Sequence, residues 1–293
     1  MAETCTLALL GALVVLSLLV SPIACSSRKL AVNPLSYKPV VKAAPTNKTT
    51  TYTNPAVLAG YGPGGWLAAG ATYYGSPNGF GGDGGACGYQ SAVGQPPFSS
   101  MIAAGSTPLF LNGLGCGACY DVMCSSHKAC SGKPVTVVIT DLSPGNLYPG
   151  EPAHFDMSGT ALGAMAKPGK ADQLRNGGVI RVQYKRMPCK YPGVKITFKV
   201  DPGSNPFYFK TLIEFQNGDG NLRAVAVKQA GSRSWTAMTH DWGALWRCNN
   251  GQRLRAPFSL RLTSDSGRKL IANNVIPANW RPGGTYRSLV NYP

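Results

Sequence analysis

Acidic side chains are scarce in this chain: 12 Asp plus Glu stand against 28 Lys plus Arg, leaving a net charge of +16 over 293 residues. That balance favours an anionic partner, whether nucleic acid, lipid headgroups or an acidic polysaccharide. The bland alternative, basic charge that only aids solubility, stays open. A second long apolar run is also missing. Leu7 to Val20 is almost unbroken Leu, Val, Ala and Gly, too short to favour a membrane span, and Ala24-Cys25-Ser26 supplies the small residues of a signal-peptidase site. Residues 1–26 therefore read as a leader despite Glu3 in the n-region, and export argues against nucleic acid. Residues 27–66 lack any sustained period of 2 or 3.6 and carry Pro34, Pro39, Pro45, Pro55 and Pro63, which predicts an extended, mobile arm. Asn47-Lys-Thr49 in that arm is a glycosylation sequon.

What is present is cysteine. Six of the nine lie between Cys87 and Cys189, and in an exported chain an even cluster reads as a disulfide framework, with Cys248 left over as a buried thiol. Residues 67–189 then form one stapled domain, mostly β, with a Gly-rich start, a strand at Val135–Thr140, a short helix candidate at Ser158–Lys167 and a strand at Val179–Tyr184. Tyr191-Pro-Gly193 reads as a brief linker within 190–194. From 195 to 293, β-type runs recur about every ten residues with turns at Asn217–Gly220 and Ser264–Gly267, the pattern of a small all-β sandwich.

Asp141 ends an apolar strand and Asp156 follows His154-Phe155, so both acids can project into one cleft at the rim of a barrel. Phe155 offers the desolvation that would lift the Asp156 carboxyl, as a general acid in sugar chemistry requires. Asp83 in the Gly-rich loop is a third member. Set against this, all three could cap turns or pair with the abundant Lys and Arg. Glycoside hydrolysis needs two carboxylates in distinct roles, and the first domain otherwise offers only Asp121, Glu151 and Asp172. Cys116-Gly-Ala-Cys119-Tyr has the local look of a papain-type nucleophile, but Gly113 stands where the oxyanion Gln belongs. Cys116, Cys119, Cys124, His127 and Cys130 have zinc-like spacing, yet exported, oxidised cysteines make poor ligands, so no metal is expected.

In the second domain aromatics carry the signal. Strand alternation puts Phe207 and Phe209 on one face and Tyr208 on the other, so if the Phe pair is core, Tyr208 faces solvent. Trp242, Trp246 and Arg247 sit in a Gly-containing run, where flat exposed rings could stack on sugar rings. For Trp235, Trp246 and Trp280 taken singly, the core is the better reading.

These residues resemble those of the β-expansins, the group that includes grass pollen group-1 allergens. The resemblance runs from about residue 67 to the C-terminus, through Thr72-Tyr-Tyr74-Gly, Gly84-Gly-Ala-Cys87-Gly-Tyr, Cys116-Gly-Ala-Cys119-Tyr, Ile139-Thr-Asp141, His154-Phe-Asp156-Met-Ser158-Gly, Trp242-Gly-Ala-Leu-Trp246-Arg247 and Val275-Ile-Pro-Ala-Asn-Trp280-Arg-Pro. It implies a mainly β fold: a six-stranded double-psi β-barrel similar to glycoside hydrolase family 45, followed by an immunoglobulin-like β-sandwich that binds carbohydrate. It implies disulfides Cys87 to Cys116, Cys119 to Cys189 and Cys124 to Cys130. By likeness, Asp156 matches the hydrolase general acid, while the hydrolase base has no clear counterpart. Thr72, Tyr74, Asp83 and Asp141 match further cleft residues, and Asn205, Tyr208, Trp242 and Arg247 match the wall-binding surface. Two departures stand out. Position 73 is Tyr where the family usually has Trp, and the span from Asp141 to His154 is longer.

The resemblance implies a secreted, monomeric cell-wall protein. It would loosen walls by disrupting noncovalent contacts between cellulose and acidic arabinoxylan, without hydrolysis and without a cofactor. Asp156 would be its essential cleft residue. The rivals are an endoglucanase with Asp156 as acid, and an inert polysaccharide binder.

Overall fold

A computed structural model describes residues 65–82, 85–143 and 151–293. The leader, most of the arm with Asn47, Asp83, and much of the lengthened span before His154 lie outside the described residues.

Six strands close into a barrel: β1 (Leu67–Tyr74), β2 (Ile102–Gly105), β3 (Cys119–Cys124), β4 (Val135–Leu142), β5 (His154–Ser158) and β6 (Ile180–Met187). Their order round the barrel is β1-β5-β2-β4-β3-β6, with β1–β5 and β2–β4 parallel and the other pairs antiparallel. Ala71, Val122, Val137, Ile139, Phe155 and Met157 are fully buried within it. Each such Val or Ile contributes about 1.5–3 kcal/mol on leaving water. The helix predicted from Ser158 runs Gly159–Ala164, and Ser158 caps it by accepting the Ala161 amide at 2.9 Å.

Disulfides join Cys87 to Cys116, Cys119 to Cys189 and Cys124 to Cys130. The first two close separations of 29 and 70 residues, so chain entropy assigns each about 3.5–4.5 kcal/mol. They also remove the thiolates that a zinc site or a Cys119 nucleophile would have needed. Cys248 is a buried thiol.

The second module is a sandwich. One sheet holds β10-β9-β13-β14 and the other β11-β12-β8-β7-β15. In chain order these are β7 (Thr197–Val200), β8 (Phe209–Glu214), β9 (Leu222–Lys228), β10 (Thr236–Ala237), β11 (Thr239–Trp242), β12 (Leu245–Cys248), β13 (Phe258–Ser264), β14 (Lys269–Ile276) and β15 (Thr285–Arg287). Phe198, Phe209, Ile213, Phe258 and Leu260 fill the space between the sheets. Trp246 joins them at 4% exposure and Trp280 packs on Phe209 and Phe258.

The two cores meet. Leu212 and Leu245, on the outer face of the five-stranded sheet, belong to the barrel's apolar cluster, and the Tyr191 ring packs against Phe98 and Phe215. The backbones of Cys189 and Gly218 exchange hydrogen bonds at 2.7 and 2.9 Å, and Ala244 N–H donates to the Cys87 carbonyl at 3.0 Å. Arg186 on β6 is buried and reaches into the sandwich, donating to the Asp219 carbonyl and the Asn221 side chain as well as to Tyr120 of the barrel.

Candidate functional site

Thr72 and Asp156 are 84 residues apart in sequence, yet the parallel register of β1 and β5 sets them side by side. Alternation along β5 sends Phe155 and Met157 into the barrel and leaves Asp156 partly exposed at its rim. The Thr72 hydroxyl donates to Asp156 Oδ1 at 2.7 Å, and its oxygen lies 3.0 Å from His154 Nε2. His154 is 1% exposed, and its Nδ1 lies 2.9 Å from Glu151 Oε2. Gly70 on β1 makes room for that carboxylate, since a Cβ there would collide with it.

The Thr72 hydroxyl thus bridges His154 and Asp156: while it donates to Asp156 Oδ1, its oxygen can accept from an N–H at His154 Nε2.

Burial raises the Asp156 pKa above its ordinary 3.8, and Asp141 raises it further, while the Thr72 hydrogen bond and His154 pull it down. The desolvating wall is not the one expected from sequence. The Phe155 ring packs with Tyr120 and Tyr184 inside the barrel, because adjacent strand residues point to opposite faces. Tyr74 lies near both acids: burial raises its pKa, with Asp141 and then Asp156 adding to the effect, so the phenol stays protonated. Asp141 Oδ1 accepts the amides of Ala86 at 2.5 Å and Leu142 at 2.7 Å, which pins the turn that begins at Gly85. Thr72, Tyr74, Asp141, His154 and Asp156 therefore share one rim. Glu151 joins them, a residue that sequence reasoning treated only as a spare acid; its place three positions before His154 was the available signal.

That turn leads straight to the sandwich. Gly88, at φ +82°, lies under Trp242, and a Cβ there would fall 3.0 Å from the indole ring. Trp242 is 46% exposed, and Arg247 on the neighbouring strand pairs with Asp241 at 2.8 Å. The cleft and the Trp242 surface are therefore contiguous through Ala86 to Gly88.

Asn205 Oδ1 accepts the Phe207 amide at 2.9 Å, and the backbones of Asn205 and Tyr208 pair with each other. This tight turn overturns the alternation assumed from Phe207. The strand begins only at Phe209, which is buried, while Phe207 is 52% exposed and Tyr208 is partly exposed beside it. Trp235 is a second correction: it lies outside the core, on the outer face of the four-stranded sheet.

Comparison with known proteins agrees with this architecture. Residues 196–277 match the model of the expansin C-terminal domain, and residues 102–184 match a barrel family described as lytic transglycolase. Along its whole length the chain is 62% identical to Expansin-B11 of Oryza sativa subsp. japonica, which it covers completely. The chain belongs to the β-expansins. Expansin-B4 of Arabidopsis thaliana is 54% identical over 76% of the chain and 86% of its own length. Among solved structures, an apo expansin of Clavibacter michiganensis superposes with a TM-score of 0.59 at 20% identity, covering 78% of this chain and 98% of that one. A mutant of the bacterial protein, in complex with cellohexaose, matches equally well. Membership makes this β-expansin one of a family of wall-loosening, carbohydrate-binding proteins.

Replacing Thr72 by Val should raise the Asp156 pKa, because the hydroxyl bond that favours the charged carboxyl is lost. Carboxyl chemical shifts followed through a pH titration measure this directly. An unchanged midpoint would show that Thr72 does not govern Asp156.

Proposed function

We propose that this β-expansin is an exported wall protein that separates cellulose from matrix polysaccharides without cutting either. Asp156, the rim carboxyl with raised proton affinity, hydrogen-bonds sugar hydroxyls in the cleft. Thr72, Tyr74 and Asp141 shape that cleft. Tyr208, Trp242 and Arg247 hold the glucan on the adjoining surface, and Asn205 builds the turn that presents Tyr208.

One observation carries the nonhydrolytic reading. Among the described residues, the acids gathered about Asp156 are engaged: Asp141 Oδ1 holds two backbone amides, and Glu151 is bound to His154. A glycosidase base must instead hold a water poised for attack. Cellulose as the glucan is supported by the bacterial protein of like fold, whose structure contains cellohexaose. Acidic arabinoxylan is supported by the net charge of +16.

The test is extension of heat-inactivated grass walls under constant load, with soluble sugar assayed in the same bath. Extension without sugar release is expected. Sugar released in step with extension would make the protein an endoglucanase, and binding with neither would make it a passive binder. Because burial raises the Asp156 pKa above its ordinary value, extension should fall as pH rises through its folded pKa. A flat pH profile would remove Asp156 protonation from the mechanism.

A further inference from the structure

The outer face of the four-stranded sheet lies on the side of the sandwich opposite the barrel and the Trp242 surface. Val225 and Val227 of β9, Leu260 and Leu262 of β13 and Ala272 of β14 point into the core. Alternation therefore turns Ala224, Ala226 and Lys228, then Arg261 and Thr263, then Lys269 and Ile271, outwards. Arg261 is in register with Ala226 and Ile271, Thr263 with Ala224 and Lys269, and Ser259 with Lys228. Lys228, Arg261 and Lys269 thus lie on one diagonal across three strands, each roughly 7–8 Å from the next at the backbone.

Trp235 lies against this row. Thr236 pairs with Val227, which carries Trp235 to the level of Lys228. Lys228 Nζ lies 5.1 Å and Arg261 Cζ 4.9 Å from the centroid of its ring. No acid opposes these cations from the strands of the sheet. The five acids of the sandwich are elsewhere: Asp201 and Asp241 are paired with Lys210, Glu214 with Lys199, Asp219 holds Ser266, and Asp265 sits in the turn between β13 and β14.

We propose that this face is a second carbohydrate-binding surface, taking a uronate-bearing polysaccharide. Its carboxylates meet Lys228, Arg261 and Lys269, and a sugar ring stacks on Trp235. An exposed cation–π contact contributes only about 0.5–1 kcal/mol, so a carboxylate can draw Lys228 and Arg261 off the indole and free its face. The choice of a polysaccharide rests on the wall reading given above. With glucan on one sheet and an anionic chain on the other, one sandwich holds both polymers at once.

The probes are glucuronoxylan, the same xylan with its carboxyls reduced, and cellulose, each offered to the full chain. Glucuronoxylan should bind more tightly than the reduced form, with affinity falling as salt rises. A Lys228→Gln, Arg261→Gln, Lys269→Gln triple variant should bind glucuronoxylan about tenfold more weakly, as the loss of three exposed ion pairs implies, and bind cellulose as before. Trp242→Ala should do the reverse. A control with Lys133, Lys170 and Lys190 changed to Gln, exposed positions on or next to the barrel, carries the same loss of charge and should behave as wild type. Undiminished glucuronoxylan binding by the first triple variant, an equal loss in the control, or equal binding of reduced xylan would overturn the proposal. A wild-type chain that binds neither cellulose nor glucuronoxylan would instead overturn the wall reading, and with it the ligand named here.

Discussion

Wall extension is expected to fall at least about tenfold when Asp156 is replaced by Asn, with the fold retained. Asn keeps the shape of the carboxyl and still accepts the Thr72 hydroxyl bond at the position now 2.7 Å away. It cannot take a proton, so the protonated form of the rim carboxyl is closed to it. A buried partner left without the hydrogen bond of that carboxyl costs about 1–3 kcal/mol, and 1.4 kcal/mol is tenfold. A variant that extends walls like wild type would remove Asp156 from the mechanism. The same variant has a stability signature with a definite sign. The folded-state pKa of Asp156 is raised above 3.8, so its contribution is fully present below 3.8 and is lost as pH rises through the folded pKa. Asn has no such loss. The Tm of the variant relative to wild type should therefore increase across that window, and a difference that stays constant with pH would contradict the raised pKa.

Replacing Arg186 by Ala should destabilise the protein by about 3–5 kcal/mol, because it strips a buried cation from the junction of the two modules. The guanidinium is 4% exposed, donates to Tyr120 Oη at 3.0 Å and Asn221 Oδ1 at 2.6 Å, and sits over the Tyr120 ring at 4.9 Å. Without it the Asp219 carbonyl and the Asn221 amide oxygen lose a charged donor in a place that water does not reach. Lys should rescue poorly, since one ammonium cannot reproduce a planar fork that serves both modules. Urea unfolding measures the cost. Calorimetry should also show the single transition splitting as the sandwich unfolds apart from the barrel. A variant within about 1 kcal/mol of wild type would mean that the apolar contacts of Leu212 and Leu245 hold the junction alone.

Local pattern served well wherever a strand runs straight. Val135 to Thr140 and Val179 to Tyr184 both read correctly as β. It failed at Phe207, because the Asn205 side chain closes a turn there and resets the alternation before Phe209. It failed at Trp235 too. A tryptophan is more often core than surface, and only the cross-strand positions of Lys228 and Arg261 give this one a place outside. Phe155 was credited with desolvating Asp156 on the strength of adjacency, whereas adjacency on a strand means opposite faces.

The residues themselves determined that this is a two-part β protein of the expansin family, stapled by cysteine and poor in acids. They also singled out His154-Phe-Asp156 as the run to watch. Only the tertiary structure decided what Asp156 does in company. Thr72 reaches it through a parallel pairing across 84 positions, Glu151 enters through His154, Asp141 holds the Ala86 amide, and Arg186 spans from barrel to sandwich. The physical reason is range. Periodicity and turn chemistry act over a few residues and can be read along the chain, whereas hydrogen bonds across a closed barrel depend on which strands become neighbours, and that is set by the burial of the whole core.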